Sequence, residues 1–196
     1  MLRAHGLATE PAYPEDILEA IRRRNNTLYW CPTVEGLFLA DYTARVFPDR
    51  LDDPAWQRDM PKEIASDIRE SLRHVTALDY FTLTFRRLPT LPRKFQQLRE
   101  TGVTLLVGTD SGIPGNFHTD STWRELATWV RLGMTPMQAI AGATRWPARF
   151  LKREKDLGTL APGRLADVIA VRGDVLASVE LLQHVDLVIK GGQRVR

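Results

Sequence analysis

The chain has 196 residues, 43% of them hydrophobic and 26% charged, which is enough to bury one substantial core and excludes disorder over most of its length. Its formal charge of +3 is mild, and the one basic triplet, Arg22-Arg23-Arg24, ends an amphipathic helical pattern where cations suit the helix C-terminus, so no nucleic-acid partner is expected. The single cysteine, Cys31, excludes an internal disulfide framework and a cysteine-based zinc site, and no run of about 18 apolar residues offers a membrane span, so the expected compartment is the cytoplasm.

Ile17, Leu18 and Ile21 fall at helical spacing between Pro14 and Asn25, with Glu15 and Asp16 at the start and arginines at the end. Leu28 to Cys31 reads as a buried strand closed by Pro32-Thr33, with Cys31 a buried inert thiol. Gly36, Pro48 and Pro54 break up the pattern from Val34 to about Asp53, as expected of a long loop or lid after a strand. Ile64, Ile68, Leu72, Val75, Leu78 and Phe81 predict one or two helices over 55–88, and a further helix covers Leu91 to Thr101 before Gly102. The run Val103 to Val107 is β-branched and apolar, the composition of a strand buried on both faces. Helices follow over 120–132 and from Thr135-Pro136 to Thr144, then a short helical piece over 145–153. The tail carries two strands, Ala166 to Arg172 and Val185 to Lys190, the second turning at Gly191-Gly192 into Gln193 to Arg196.

The strand at 103–107 stops at Gly108-Thr109-Asp110-Ser111-Gly112. A carboxylate at a strand's C-terminal mouth is where an α/β barrel gathers its chemistry, which makes Asp110 the first candidate. Asp-Ser-Gly is also ordinary turn chemistry, and the residues alone leave both readings open. His118, in Phe117-His118-Thr119-Asp120, is a contact at the same mouth, an exposed loop histidine or a partner to Asp120. Asp120 and Ser121 read as the N-cap region of the next helix, and His74 and His184 carry no assigned chemistry.

Val107-Gly-Thr-Asp-Ser111, Leu132-Gly-Met-Thr-Pro-Met-Gln-Ala-Ile140, Ala143-Thr144, the run from Leu157 to Ile169 and Val188-Ile-Lys-Gly-Gly192 resemble, in their order and spacing, the C-terminal part of the amidohydrolase superfamily, close to its imidazolonepropionase-like and Xaa-Pro dipeptidase-like members. The resemblance implies an eightfold barrel holding one or two divalent metals, usually zinc. It gives Asp110 the place of the aspartate that ends the eighth strand, binds metal and shuttles the proton from an attacking water to a leaving nitrogen. It gives His5, in Ala4-His5-Gly6, the place of the histidine ligand that ends the sixth strand, and it makes His118 the candidate substrate contact. Asp167, in Leu-Ala-Asp-Val, is structural in this reading.

The family's His-x-His pair, its bridging lysine or glutamate and its fifth-strand histidine have no counterpart in the 196 residues. The fold expected is therefore α/β: about three strands, six to eight, of a TIM-like (β/α)8 metal-dependent hydrolase barrel over 1–156, with a helical insertion at about 34–88, and the β tail of a small sandwich domain over 157–196. The function expected is metal-dependent hydrolysis of carbon–nitrogen bonds in a peptide or cyclic amide, by a truncated C-terminal piece inactive on its own. The alternative is a catalytically inactive remnant or assembly module that completes a barrel with a separate N-terminal half. A small-molecule or peptide substrate, and a homo-oligomer or such a half, are the expected partners.

Overall fold

The computed structural model describes residues 10–36, 54–57, 60–73, 79–112, 116–118 and 121–196. The expected sixth strand at His5, most of the expected lid over 34–53, and His74 and Asp120 lie outside them. The described elements mix helix and strand in the expected order. They are α1 (Glu15–Arg22), β1 (Tyr29–Trp30), α2 (Lys62–Arg73), α3 (Asp79–Arg87), α4 (Leu91–Glu100), β2 (Thr104–Leu105), α5 (Ser121–Arg131), α6 (Pro136–Ala143), α7 (Arg145–Phe150), β3 (Val168–Val171), β4 (Val185–Lys190) and β5 (Gln193–Arg194).

Helix α1 forms because its apolar residues share one face and its charges suit its ends. Leu18 and Ile21 are buried, Glu15 and Asp16 lie in the first turn, and Arg22 lies in the last. Two reciprocal bonds tie the chain just before it to α4: Tyr13 N donates to Gln97 Oε1 at 2.8 Å, and Gln97 Nε2 returns to Tyr13 O at 3.1 Å. Strands β1 and β2 run parallel, Tyr29 opposite Thr104 and Trp30 opposite Leu105, with α2, α3 and α4 between them in sequence. A parallel pair needs such a crossover.

The predicted strand at 103–107 is shorter in the structure. Only Thr104 and Leu105 are strand: Leu106 N still donates to Trp30 O of β1 at 2.8 Å, but Val107 N turns to Gly142 O at 2.9 Å instead. Cys31, expected inside, is exposed, since it lies one residue past the paired part of β1.

The core gathers Ile21, Val34, Phe95, Leu98, Val103, Leu105, Leu126, Trp129, Met134 and Ala139. Trp129 is its centre at 0% exposure, its ring 5.8 Å from that of Phe95. Helix α6 starts as predicted, with Thr135 and Gln138 capping each other reciprocally and Pro136 at its first position.

In the tail, β3, β4 and β5 form an antiparallel sheet in sequence order. Gly191 and Gly192, at φ +57° and +82°, supply the left-handed pair that a two-residue hairpin turn requires. Asp167 is structural here: its carboxylate accepts from Gly191 N at 2.7 Å and from Lys190 Nζ, clamping the hairpin to the start of β3. The 3₁₀ turn Val179–Gln183 packs the tail onto α5, burying Val179 and setting Leu182 against the core.

Gly142 is fixed by packing. A Cβ there would lie 2.6 Å from Trp129 Cζ3, 3.1 Å from its Cη2 and 3.4 Å from Val107 Cγ2. Helix propensity favours alanine over glycine by about 1 kcal/mol, but overpacking a closed core costs about 1–3 kcal/mol. Because the indole in the way is rigid, Gly142→Ala is expected to lower stability, by up to about 2 kcal/mol in urea denaturation.

Candidate functional site

The site is built where the chain leaves β1 and β2 on the same side. Gly108 lies so close to Cys31 that a Cβ would fall 2.3 Å from Cys31 Sγ and 3.7 Å from Thr33 Cγ2, so glycine alone lets the two exits touch. Asp110 follows two residues later. It is exposed and held at φ +51°, a left-handed conformation that aspartate tolerates better than most residues, and one that marks functional loops when the surroundings enforce it.

The enforcement is visible on both sides of Asp110. Thr109 Oγ1 and Ser111 Oγ lie 2.7 Å apart, and Ser111 Oγ lies 2.6 Å from Ser121 Oγ in the buried first turn of α5. Asn116 Nδ2 donates to Thr109 O, while Gly112 N donates to Asn116 O at 3.0 Å. Asn116 is 1% exposed, and its Oδ1 has no hydrogen-bond partner among the described residues. His118 is exposed beside this loop, its Cε1 3.8 Å from where a Cβ on Gly112 would sit.

The structure thus brings Asp110 and His118 to one loop, while His5 lies outside the described residues. Among the described residues no group of three or more His, Cys, Asp or Glu side chains is placed to hold a metal ion. The donor set here, Asp110 with a neighbouring imidazole, does not amount to a divalent site, which takes three or more protein ligands for zinc. The chemistry supported by these residues is that of an exposed carboxylate fixed in position, able to accept and return a proton.

The opposite lip is organised by a residue that the motifs do not reveal. Glu125 of α5 is 0% exposed, and its carboxylate accepts from Val34 N at 3.0 Å, Glu35 N at 2.7 Å and Trp129 Nε1 at 2.7 Å. Two consecutive backbone amides are thereby gripped by one side chain immediately after Thr33, a β-branched residue at φ +46°. Glu35 is buried beside it and accepts from Thr128 Oγ1, with Arg131 Nη2 at 3.4 Å. The signal available in the sequence was a glutamate on the apolar face of α5, one turn before Trp129.

Burial pushes the Glu125 carboxyl up to about 7. Desolvation outweighs the bonds from Glu35 N, Val34 N and Trp129 Nε1, and the Glu35 charge adds to it. Cys31 feels the same surroundings: burial raises its thiol first, then the charges of Glu125 and Asp110. It is therefore no activated nucleophile.

Between its ordinary value of 4.5 and about 7, the folded Glu125 carboxyl holds more proton than the unfolded one, so its contribution to stability falls as pH rises through that window. Glu125→Gln places an amide NH₂ where one of these N–H groups needs an acceptor. The variant is expected to be less stable by about 1–3 kcal/mol at pH about 5, with the deficit shrinking by pH about 8, in paired urea denaturations.

The amidohydrolase family model matches residues 89–195, from the start of α4 to the last strand. The imidazolonepropionase of Rhodococcus jostii (strain RHA1) is 44% identical over 75 residues, 38% of this chain and 18% of that protein. The imidazolonepropionase of Streptomyces avermitilis is 37% identical over 98 residues, 50% of this chain and 21% of that protein. Among solved structures, a Xaa-Pro dipeptidase with methionine bound in its active site is similar at a TM-score of 0.61 and 27% identity, over 94% of this chain and 38% of that one. The chain thus spans 18–21% of the length of these curated relatives and 38% of the dipeptidase.

Proposed function

Because the chain belongs to the amidohydrolase family, we propose that it carries the proton-handling part of a hydrolase that cleaves carbon–nitrogen bonds. Asp110 is the residue assigned to that step. The supporting observation is its placement: an exposed carboxylate at φ +51°, at the exit of a strand paired in parallel with β1, in a loop locked by Thr109, Ser111, Ser121 and Asn116.

An amide is broken by water adding to the carbonyl carbon, with one proton leaving the water and one reaching the departing nitrogen. A single carboxylate can take the first proton and deliver it as the second, provided that it stays in one place through both events. The locked loop supplies that immobility. His118, beside the loop, is assigned to substrate contact.

The substrate class proposed is a peptide or cyclic amide, in keeping with the Xaa-Pro dipeptidase and imidazolonepropionase likenesses. A divalent metal, zinc by expectation, belongs to the proposal for the whole enzyme, with His5 and Asp110 as its proposed ligands in this chain. Strands β1 and β2 are proposed as the seventh and eighth strands of a barrel. The second reading, an inactive assembly module that completes a barrel with a separate N-terminal half, draws on the tail sheet, in which no residue of β3, β4 or β5 is buried. A sheet whose strands are at most half-buried is the kind of surface a partner covers.

The two readings separate on one substitution. With zinc and a barrel-completing N-terminal half supplied, Asp110→Asn is expected to lower kcat for an Xaa-Pro dipeptide or a cyclic amide by about a hundredfold with KM little changed, which removal of a proton-transfer group predicts. Turnover unchanged by the substitution contradicts the Asp110 assignment. The assembly reading predicts that an N-terminal half binds the chain and that neither protein gives zinc-dependent turnover even then.

A further inference from the structure

Away from the Asp110 loop, α7 and the segment that follows it enclose a cleft of about 500 Å³. Arg145, Trp146 and Arg149 line one wall, Thr159 and Arg164 line the other, and Glu154 contributes the one carboxylate. Gly158 closes the walls on each other. It lies at φ +84°, and a Cβ there would meet Ala148 Cβ and Thr144 O at 2.8 Å and Arg145 Cα at 2.9 Å, so any side chain would push the turn off the helix.

The cations of this cleft are not used up by the fold. Arg164 is fixed by donating to the backbone carbonyl of Glu154, which leaves its charge uncompensated. Arg145 and Arg149 stand one helical turn apart and form no ion pair with any described residue. The nearby carboxylate of Asp156 is taken by Arg153 at 2.7 Å. Three guanidinium groups against one carboxylate leave a net charge of +2 around the cleft. Like charges at this helical spacing oppose the helix, and a bound anion would turn that repulsion into attraction.

We propose that this cleft binds a phosphate group. A tetrahedral dianion matches the net charge, and arginine is the side chain whose fork of N–H donors fits phosphate oxygens in pairs. Thr159 adds a hydroxyl donor, and the Trp146 indole borders the same space as a reporter and as a face on which an attached ring can stack. No residue of the Asp110 loop lines the cleft, so the site stands whether or not Asp110 performs hydrolysis.

The test is calorimetric titration of the full chain with inorganic phosphate at constant ionic strength, with tryptophan emission followed in parallel. Saturable binding is expected, weakened about tenfold by Arg145→Ala and by Arg149→Ala, and unchanged by Lys155→Ala, an exposed cation outside the lining. Unchanged circular dichroism in the variants shows that they remain folded. A phosphomonoester that binds more tightly than inorganic phosphate assigns the site to a phosphorylated organic ligand, and equal affinity assigns it to the free ion. Absence of saturation by about 10 mM phosphate overturns the proposal, as does equal weakening by Lys155→Ala or a dicarboxylate such as malonate binding as tightly as phosphate.

Discussion

One buried carboxylate sets the geometry on which the site depends. Glu125 sits on α5, the helix that follows the Asp110 loop, yet the groups it grips, Val34 N and Glu35 N, belong to the chain leaving β1. Two strand exits far apart in sequence are thereby held by the same helix. Without those bonds two backbone donors would be buried unpaired next to a strained Thr33, and each unpaired group costs about 1–3 kcal/mol. The third bond, from Trp129 Nε1, ties the grip to the centre of the core. Core packing, loop geometry and the position of Asp110 are thus linked through one helix, by Glu125 at the β1 exit and by Ser121 at the Asp110 loop.

Burying that carboxylate has a consequence of its own. In water it would be ionised at neutral pH, whereas here it stands near half-protonation, pushed to about 7 by desolvation and by Glu35. The grip survives either state, because a carboxyl group keeps acceptor lone pairs when protonated. Its energy does not stay constant, so the stability contributed by this grip falls as pH rises toward neutrality.

Much of this architecture was legible in the sequence because the signals are local. The apolar stripe of α1, the Thr135-Pro136 start of α6, the Gly191-Gly192 hairpin and the structural part of Asp167 all act within a few residues or one strand pair, and the structure contains each of them. What was not legible depends on distant partners. The extent of β2 is decided by Gly142 O, which draws Val107 away, and the exposure of Cys31 by where pairing with β2 ends. Glu125 stands out only as a glutamate on the apolar face of α5, and what it holds is not legible until its contacts some 90 residues back are known. At the candidate site, the sequence marked Asp110 and His118 on one loop, but the hydroxyl chain through Ser121 and the Asn116 bracket required the fold.

The central claim is that the loops leaving β1 and β2 together form the mouth of a carbon–nitrogen hydrolase, with Asp110 at its working point. The most direct measurement is a backbone amide NMR titration of the protein with a phosphonate analogue of the tetrahedral intermediate of amide hydrolysis. Saturable shifts are expected at Thr109 to Gly112 together with Val34 and Glu35, since α5 holds both stretches, one through Ser121 and the other through Glu125. Shifts confined to the arginine cleft around Arg145 and Arg149, or no shift at Asp110 at saturation, would contradict it.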